Sequence, residues 1–418
     1  MSENTTSNKT VSNTISKRIM RLSPSTTLEI NARARKLAAN GARIISLAAG
    51  EPDFGPPQEV LDFIKQKMDD PANHKYTFAK GMLELRKTIA KKTTDETGVE
   101  FDDKQVIITN GAKQAIFEAF ETIINYGDEV LLPAPYWTTY PELIQLAEGI
   151  PVVINGSIDN NFKITVDQLE AEVTDKTKAL VLVTPNNPTG SIYTSEELAE
   201  ICQFVIRHNL ILISDEIYNR LDYTSMEAVA ASPLKSCPEV KDNILIINGL
   251  SKSFAMTGWR IGWIIGPQNI TNRIADLQSH VTGNVNNFAQ YGAIKALEID
   301  DSYFMNMKET LYSRRDIMFD KLSSINYHDK PAFLNIQKPA GAFYYFANIE
   351  NLLEVPLGEG QHTSYTDSEL VRRILDETGV ALVPGSAFGY PGYIRFSFAL
   401  DTSDLIEALD LLKKYIEQ

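Results

Sequence analysis

Short apolar runs and amphipathic stretches alternate through the first two thirds of the chain. The runs predict buried β-strands at residues 105–109, 129–133, 150–154, 179–184, 210–214, 244–248 and 261–265. Apolar residues that recur every three or four positions predict helices between the first five runs, at residues 113–125, 136–147, 165–172 and 194–208. Strands separated by helices are typical of a parallel sheet covered on both faces. The last two runs are too close for a parallel crossover, so we expect one of them to run antiparallel.

The pattern differs on either side of this region. Before it, residues 25–40 predict a helix, and a short strand beginning at Ile44 leads into a loop broken by Gly and Pro. After it, we expect a helix at 303–325, a hairpin-like strand pair at 333–337 and 341–346, a surface loop at 351–366, a helix at 367–377, strands at 380–383 and 393–398, and a helix at 402–416. These elements predict a second, smaller α+β unit.

Composition limits the classes of function. A chain of 418 residues is long enough for two domains around a cleft. Apolar residues at 43% and charged residues at 22% are ordinary for a soluble globular protein. A net charge of -14 disfavours nucleic acid or an anionic membrane as a partner. Only Cys202 and Cys237 are present, which predicts a reducing compartment and neither a metal site nor a disulfide framework.

The N-terminal residues 1–22 predict a disordered tail, because Ser, Thr and Asn dominate and no apolar block occurs. We find no secretory signal, and no run reaches the roughly 18 apolar residues of a membrane span. Lys17, Arg18 and Arg21 leave a cleaved organellar presequence open, although Glu3 and the lack of an Arg-rich amphipathic start argue against it. We therefore expect a cytoplasmic protein.

Lys252 lies on the loop between the last two predicted strands, in Asn248-Gly-Leu-Ser-Lys-Ser-Phe-Ala-Met-Thr-Gly-Trp-Arg-Ile-Gly-Trp263. A lysine amine held at a strand end in apolar surroundings loses hydration, so its pKa falls and the neutral amine becomes a nucleophile toward an aldehyde or ketone. By itself such a lysine is more often a solvated surface charge. The other strand ends decide its significance, because ligands of open parallel sheets bind beyond the carboxyl ends of the strands.

Three of those strand ends carry polar groups. The first runs through Gly111 into a helix, whose free amides and dipole predict a phosphate seat. The second, Thr184-Pro-Asn-Asn-Pro-Thr-Gly190, projects Asn187 as a neutral donor, although a structural turn explains it equally well. At the third, Asp215 follows buried residues and needs a cation opposite it, such as a protonated ring nitrogen, unless it caps a helix. Tyr218, three residues later, can reach the same ligand.

Together these features match one cofactor. A lysine for a Schiff base, an acid for a pyridinium and a phosphate seat completed by Arg260 are what pyridoxal phosphate requires, because its protonated ring withdraws electrons from the substrate's α-carbon. Each feature is weak alone, and their joint occurrence is specific. A nucleotide-binding dehydrogenase would need Gly-x-Gly-x-x-Gly after the first strand, where the chain has Thr109-Asn-Gly-Ala-Lys113.

The same residues give the chain a resemblance to a known family. The motifs that carry it are the Lys252 loop, Asn186-Asn-Pro-Thr-Gly190, Ser214-Asp-Glu-Ile-Tyr218, Tyr76 ahead of Gly81 and Leu85-Arg86, and Arg395 in Tyr-Ile-Arg-Phe-Ser. From about Ser23 to the C-terminus the chain resembles the class I aminotransferases of pyridoxal-phosphate fold type I. Gly111-Ala-Lys-Gln114 and Pro135-Tyr-Trp-Thr-Thr-Tyr-Pro141 are similar to the prokaryotic-type aspartate aminotransferase subgroup.

The resemblance implies an architecture. It is an α/β fold with a mostly parallel seven-stranded sheet, helices on both faces and a smaller α+β domain. The large cofactor-binding domain would span residues 59–310, and the small domain would combine residues 23–58 with residues 311–418.

The resemblance also implies a role for each site residue. Lys252 would hold pyridoxal phosphate through a Schiff base and later move the substrate's α-proton. Asp215 would pair with the pyridinium, Tyr218 and Asn187 would bind the ring hydroxyl, and Trp137 would stack on the ring. The phosphate would be held by Gly111, Ala112, Lys113, Arg260 and Tyr76, and Tyr76 would reach across from the partner subunit of a homodimer. Arg395 would fork the substrate α-carboxylate, with Gly50, Trp137 and Asn187 completing the substrate site.

Substrate choice is expected to depend on Lys113. Some aspartate aminotransferases bind the distal carboxylate with an arginine of the neighbouring chain, but the corresponding segment Ser279-His-Val-Thr-Gly-Asn284 has none. In the subgroup that this chain resembles, a lysine at the position of Lys113 takes that role. A solvent-exposed lysine in a first helical turn is the alternative.

Two departures from the family pattern are informative. Gly249 stands where many relatives have a serine for the phosphate, so one hydroxyl is missing there. Ser23 stands where relatives that accept prephenate carry a basic residue, which lowers the expectation of that activity.

The predicted function is amino transfer between L-aspartate and 2-oxoglutarate, giving oxaloacetate and L-glutamate, in a ping-pong cycle. Alternatives are an aminotransferase for aromatic amino acids, for alanine, or for aspartate and prephenate. From another class, a regulatory protein that binds pyridoxal phosphate is the rival. Such regulators carry a fused DNA-binding domain, and we expect none here because the polar tail is too short to contain one.

Overall fold

The computed structural model of the chain describes residues 15–24, 26–225, 229–358 and 361–418. Within them the α-helices are α1 (Thr26–Ala39), α2 (Gln58–Met68), α3 (Leu83–Thr97), α4 (Ala112–Ile123), α5 (Tyr140–Leu146), α6 (Val166–Glu172), α7 (Ser195–Arg207), α8 (Pro233–Ser236), α9 (Gln268–Val281), α10 (Asn287–Leu297), α11 (Ser302–Ser323), α12 (Glu350–Leu353), α13 (Asp367–Thr378) and α14 (Thr402–Ile416). None of them is both long and apolar enough to cross a membrane.

The strands fall into one large sheet and several small ones. They are β1 (Ile45–Ser46), β2 (Val106–Thr109), β3 (Glu129–Ala134), β4 (Ile150–Asn155), β5 (Thr177–Val183), β6 (Ile211–Asp215), β7 (Ile244–Gly249), β8 (Gly262–Ile265), β9 (Asn326–Tyr327), β10 (Lys330–Pro331), β11 (Tyr344–Asn348), β12 (Glu354–Gly358), β13 (Gln361–Ser364), β14 (Val380–Ala381), β15 (Val383–Pro384) and β16 (Tyr393–Ser397).

The large sheet contains the seven predicted strands, in the order β2-β8-β7-β6-β5-β3-β4. Strands β3 to β7 pair in parallel, while β8 is antiparallel to both β7 and β2. This confirms the expectation that one of the last two strands reverses. The parallel arrangement brings the carboxyl ends of β5, β6 and β7 to one edge, where Asp215 ends β6.

Both faces of this sheet are buried, as continuous apolar strands require. Alternate residues point to opposite faces, so Leu212 packs in one core cluster and Ile213 in the other. Apolar faces of α3, α7 and α10 cover the first face, and those of α4, α5 and α9 cover the second. The prediction of helices on both faces is therefore confirmed.

The smaller unit is built on the three-stranded antiparallel sheet β11-β16-β15. Helices α11, α13 and α14 pack on it through a further core cluster, which includes Met318, Leu370 and Leu409. Ile45 and Leu47 belong to the same cluster, and β1 pairs in parallel with β14. The N-terminal segment thus packs against the C-terminal part of the chain.

One predicted pairing is wrong. Strand β11 does not form a hairpin with residues 333–337, because it pairs along its length with β16. The intervening segment bonds to other loops: Gly341 N donates to Gly190 O and Ala342 N donates to Leu221 O. A single bridge between Leu334 and Asn348 is what remains of the expected hairpin. Backbone partners distant in sequence thus determine the path of this segment.

Other boundaries also differ from the predictions. The predicted loop at 351–366 contains β12 and β13, and the predicted strand at 380–383 divides into β14 and β15, which pair with different strands. The helix predicted from residue 136 begins at Tyr140, and α2, α3, α9 and α10 were not predicted. Residues 1–14 of the expected tail and Ser25 lie outside the described residues, and Ile19–Arg21 forms one 3₁₀ turn.

Candidate active site

A cavity of about 390 Å³ opens at the carboxyl edge of the large sheet. The predicted site residues that line it are Gly50, Ala112, Lys113, Trp137, Asn187, Asp215, Tyr218, Lys252, Arg260 and Arg395. Gly111 lies directly before Ala112, at the N-cap of α4. Tyr76 is not part of the cavity, and its side chain is 97% exposed. The structure therefore brings together all the predicted residues except Tyr76.

The cavity has two walls of different origin. One, here called the sheet wall, consists of Ala112, Asn187, Asp215 and Lys252, which follow strands of the large sheet. The other, here called the small-sheet wall, consists of Gly50, Tyr344 and Arg395; two of these lie on β11 and β16, and Gly50 follows β1.

Lys252 lies in the turn after β7, with its amine inside the cavity. Its Nζ donates a hydrogen bond to Gly50 O at 2.5 Å. Burial lowers the pKa of Lys252 to about 8, and the positive charges of Arg395 and Arg260 act in the same direction, while Glu51 and Asp215 oppose them. A much larger fraction of this amine is neutral near physiological pH than of an ordinary lysine.

Asp215 ends β6 with its carboxylate buried. Its Oδ2 accepts a hydrogen bond from Tyr140 Oη at 2.6 Å, and its Oδ1 accepts one from Ile217 N at 3.2 Å. Burial raises the pKa of Asp215, and these two hydrogen bonds and the charge of Lys252 limit the rise. Within the described residues no salt bridge involves Asp215, so its carboxylate can accept a cation from the cavity.

The start of α4 forms a seat for an anion. Gly111 has φ of 83°, and a Cβ there would lie 2.3 Å from Arg260 Nη2. Gly262 on β8 is equally constrained, since a Cβ would lie 2.5 Å from Ala112 N. Arg260 donates to the carbonyl oxygens of Thr257 and Asn110, and no acid pairs with it among the residues described. Free amides beside an unpaired guanidinium favour a phosphate.

Arg395 on β16 is held almost completely buried. Its Nη1 donates to Asn187 Oδ1 at 2.9 Å and its Nη2 to Ala48 O at 2.7 Å, while its buried Nε has no hydrogen-bond partner in the described part of the chain. Its guanidinium lies 4.3 Å from the ring centroid of Tyr344. Burial lowers the pKa of Arg395. A desolvated guanidinium with an unused donor is suited to bind a carboxylate.

The mouth of the cavity contains an aromatic ring and a lysine. Trp137 lies in the loop between β3 and α5, and its ring packs edge-on against Tyr140. Lys113 is exposed as a whole, with its Nζ 5.0 Å from the Trp137 ring centroid. Partial burial and the charge of Arg260 lower the pKa of Lys113. No salt bridge of Lys113 is found in the described part of the chain, so its ammonium is available to a ligand.

Several lining residues were not predicted from the sequence as site residues, among them Tyr140, Ser251, Tyr344 and Phe388. Tyr140 lies in the Pro135–Pro141 motif that carried the resemblance, so a signal existed. Tyr344 Oη lies 3.0 Å from Tyr218 Oη, but its strand was predicted only as part of a hairpin. Nothing in the local sequence marked Phe388.

The departure at Gly249 has a steric basis. A Cβ at Gly249 would lie 2.7 Å from Ile261 O, so a serine does not fit at this close approach of β7 to its neighbour. Ser251, two residues later, lines the cavity and offers a hydroxyl in that region.

Comparison with known proteins agrees with these features. The family model "Aminotransferase class I and II" matches residues 42–412. The chain is 41% identical to an aspartate aminotransferase of Streptomyces avermitilis, covering 97% of each chain, and 40% identical to one of Bacillus subtilis, covering 97% of this chain and 99% of the relative. The structure of aspartate aminotransferase from Thermus thermophilus with maleate superposes with a TM-score of 0.86 at 32% identity, covering 96% of this chain and 99% of that chain.

Proposed function

Because the chain belongs to the class I and II aminotransferases, which use pyridoxal phosphate, we propose that it transfers the amino group between L-aspartate and 2-oxoglutarate. The products are oxaloacetate and L-glutamate. One observation carries this proposal: the amine of Lys252 and the carboxylate of Asp215 share a cavity with Arg260, which lies beside the start of α4 and has no acidic partner among the described residues.

The residues of the cavity fit this cofactor. Lys252 offers an amine of depressed pKa for the aldehyde, and α4 with Arg260 offers an anion seat. Asp215 offers a buried acid that forms no salt bridge with any residue the structure describes. When bound, pyridoxal phosphate supplies an electron sink for the electrons left on the substrate's α-carbon. Gly111 and Gly262 leave room for the phosphate, since side chains at either position would collide with the seat.

Each cavity residue then has a role in our proposal. Asp215 would keep the ring nitrogen protonated, Tyr218 and Asn187 would bind the ring hydroxyl, and Trp137 would pack against the ring. Gly111, Ala112, Lys113, Arg260 and the partner's Tyr76 hold the phosphate. Arg395 binds the substrate α-carboxylate, assisted by Gly50, Trp137 and Asn187.

Lys252 also moves protons in the proposed reaction. Its neutral Nζ takes the proton from the α-carbon of the amino donor, and in the second half-reaction it returns a proton to the α-carbon of the acceptor acid. A pKa near 8 suits a group that must alternate between base and acid at physiological pH. The contact between Nζ and Gly50 O orients the amine toward the substrate side of the cavity.

Substrate choice rests on Lys113 in our proposal. Its ammonium lies at the cavity mouth beside Trp137, without an acidic partner among the described residues. The Thermus relative was studied with maleate, a dicarboxylate, and the relatives named above are aspartate aminotransferases. A second cation beyond Arg395 favours a dicarboxylic substrate over a monocarboxylic one.

Steady-state kinetics of Lys113→Ala would test substrate choice. We expect the KM for aspartate to rise about tenfold, with little change for an aromatic donor, because only aspartate loses a charge partner. Lys176→Ala, at an exposed lysine elsewhere, is the control. An equal loss with both donors would contradict the role of Lys113.

The reaction itself is tested on purified protein. We expect the protein to absorb light near the visible range and to lose this absorption when an amino donor is added. We also expect borohydride treatment to leave a stable cofactor adduct on Lys252. A panel of aspartate, alanine, aromatic donors and prephenate then separates the aminotransferase alternatives. A protein that binds the cofactor but turns over no donor would support the regulatory alternative instead.

The proposal includes a homodimer with two domains per subunit. Tyr76 and Phe78 are 97% and 77% exposed, and such neighbouring exposed aromatics are typical of an interface. The pairing of β1 with β14 supports a small domain made of residues 23–58 and 311–418 around a large domain of residues 59–310. Both cysteines are free thiols, which is consistent with a cytoplasmic location. Light scattering of the purified protein would test the dimer.

A further inference from the structure

Residues 47–54, here called the strap, lie between β1 and α2 without forming a helix or a strand, and Gly50 among them lines the cavity. The backbone of such a segment is not fixed by its own hydrogen-bond ladder, so its position depends on contacts with other elements. Leu47 O accepts from Ser397 N at 2.7 Å, which ties the start of the strap to β16.

The strap connects two of the cationic side chains of the cavity, Lys252 and Arg395. Ala48 O accepts from Arg395 Nη2 at 2.7 Å, and Gly50 O accepts from Lys252 Nζ at 2.5 Å. These two carbonyl groups are two residues apart on one short segment. A displacement of the strap would therefore change the orientation of both cations and their separation.

The far end of the strap is anchored by an ion pair. Arg314 on α11 donates to Asp53 with Nη1 at 2.7 Å and Nη2 at 2.8 Å, and its Nε donates to Thr402 Oγ1 at 3.1 Å. The Arg314 side chain is only 6% exposed, and its guanidinium lies 5.5 Å from the ring centroid of Phe54. A bidentate pair with a buried arginine fixes both distance and angle, unlike an exposed surface pair.

A second anchor lies between these points. Thr257 Oγ1, on the turn after Lys252, donates to Glu51 Oε2 at 2.7 Å. The strap is thus attached to the Lys252 loop by Glu51 and to α11 by Asp53.

We propose that Asp53 and Arg314 are positioning residues for the reaction: their ion pair holds the strap so that Ala48 and Gly50 orient Arg395 and Lys252 toward one substrate. This inference rests on the proposed function for its kinetic consequence. Neither residue touches the cavity, so they act only through the strap.

The test compares Asp53→Asn with Asp376→Asn. Asp376 forms a bidentate pair with Arg33, at 2.7 and 2.5 Å, on the exposed surface between α13 and α1. We expect Asp53→Asn to raise the KM for the amino donor about tenfold while kcat changes less, because misaligned carboxylate binding weakens substrate capture. Asp376→Asn should match the wild type.

A second readout needs neither cofactor nor substrate. The pH dependence of Lys252 modification by trinitrobenzenesulfonate, mapped by peptide mass spectrometry in the cofactor-free protein, reports the pKa of its amine. Burial is the largest cause of the lowered pKa of Lys252, the charges of Arg395 and Arg260 act in the same direction, and Glu51 and Asp215 oppose them. Loosening the strap changes both the burial of the amine and its distance from Glu51, so we expect the midpoint of Asp53→Asn to differ from that of the wild type and of Asp376→Asn. Circular dichroism at the same pH values identifies unfolding, which would restore the pKa of an ordinary lysine.

The outcomes are distinct. If Asp53→Asn behaves like Asp376→Asn in both readouts, the strap proposal is overturned. Arg314→Lys keeps the charge but not the bidentate geometry, and it should show intermediate shifts; it provides the same test if Asp53→Asn fails to fold. A wild-type protein without transaminase activity would refute the proposed function, while the Lys252 titration would still decide the role of the strap.

Discussion

The two walls of the cavity are held by different kinds of interaction. On the sheet wall, Asp215 ends β6 and Lys252 follows β7, and these neighbouring parallel strands fix their relative position through a backbone ladder. On the small-sheet wall, Gly50 lies on the strap and Arg395 on β16. One hydrogen bond connects each of them to the sheet wall, and the bonded residues are 202 positions apart in the first pair and 208 in the second. In our proposal, the wall held by the backbone ladder carries Lys252 and Asp215, which act on the cofactor, and the wall held by side-chain hydrogen bonds carries Arg395, which recognises the substrate.

This division predicts how substitutions differ. A change on the sheet wall should reduce kcat, since cofactor chemistry is lost for every substrate. A change on the small-sheet wall should act mainly on KM. Single substitutions on each wall test that difference.

Lys252→Ala should abolish the reaction. Without its amine, neither the covalent link to the cofactor nor the proton transfer remains, so kcat should fall by about 10⁴-fold or more. Turnover of aspartate and the visible spectrum measure the loss, with Lys176→Ala as the control. Retention of a borohydride-stable adduct in the variant would show that another residue carries the cofactor.

Arg395→Lys tests the small-sheet wall. An ammonium cannot replace the planar fork or fill the positions against Asn187 and Ala48, so the KM for every amino donor should rise about 100-fold. The smaller change in kcat distinguishes it from Lys252→Ala. Arg33→Lys, on the surface, serves as the matched substitution. A loss confined to kcat would contradict the division between the walls.

Tyr140→Phe should weaken the sheet wall without removing a reacting group. The hydroxyl donates to Asp215 and favours its ionised form, so its loss should raise the pKa of Asp215 further and reduce cofactor affinity about tenfold. Fluorescence titration with pyridoxal phosphate measures the affinity. Tyr193→Phe removes another buried hydroxyl, which accepts from Ile164 N, and should leave the affinity unchanged.

Glu118→Gln tests the helix beneath the anion seat, and its effect should be the smallest. Glu118 on α4 is fully buried, its Oε2 has no hydrogen-bond partner among the residues described, and burial raises its pKa to about 7. The folded state therefore keeps this proton while the unfolded state has already lost it, so the carboxyl group's contribution to stability is lost as pH rises through about 7. We expect Glu118→Gln to exceed the wild type in unfolding free energy by about 1–2 kcal/mol at pH 8 and to match it near pH 4.5.

Urea unfolding at the two pH values measures this difference, with the exposed Glu84→Gln as the control. An equal gain at both pH values would indicate that ionisation of Glu118 is not its cause.

Much of the sheet wall was predictable because its signals are local. Asp215 ends one buried run and Lys252 lies three residues after another, and the two strands were placed within two residues of their observed positions. The reversal of β8 was predicted from the short connection between β7 and β8 alone. Helices α9 and α10 escaped prediction, although they cover the sheet with residues such as Ile274 and Ala293.

The small-sheet wall was harder to predict from the sequence, and the reason is physical. The residues around Tyr344 were predicted as part of a hairpin with the preceding segment, and β11 pairs instead with β16, which begins 45 residues beyond its end. A strand's own sequence specifies that it will be extended and which side will be buried, but several partners satisfy those requirements equally. Arg395 was identified only through the motif that resembles the family.

The sequence by itself determined the alternation of strands and helices, the strand ends that carry Asn187, Asp215 and Lys252, and the cofactor that such residues require. These features depend on neighbours in the chain, where periodicity and residue chemistry act directly. Only the tertiary structure decided that Tyr140 binds Asp215, that Tyr344 faces Tyr218, and that the strap joins Lys252 to Arg395. Those contacts arise when separate elements pack together, and burial then gives each charge a partner that no local pattern specifies.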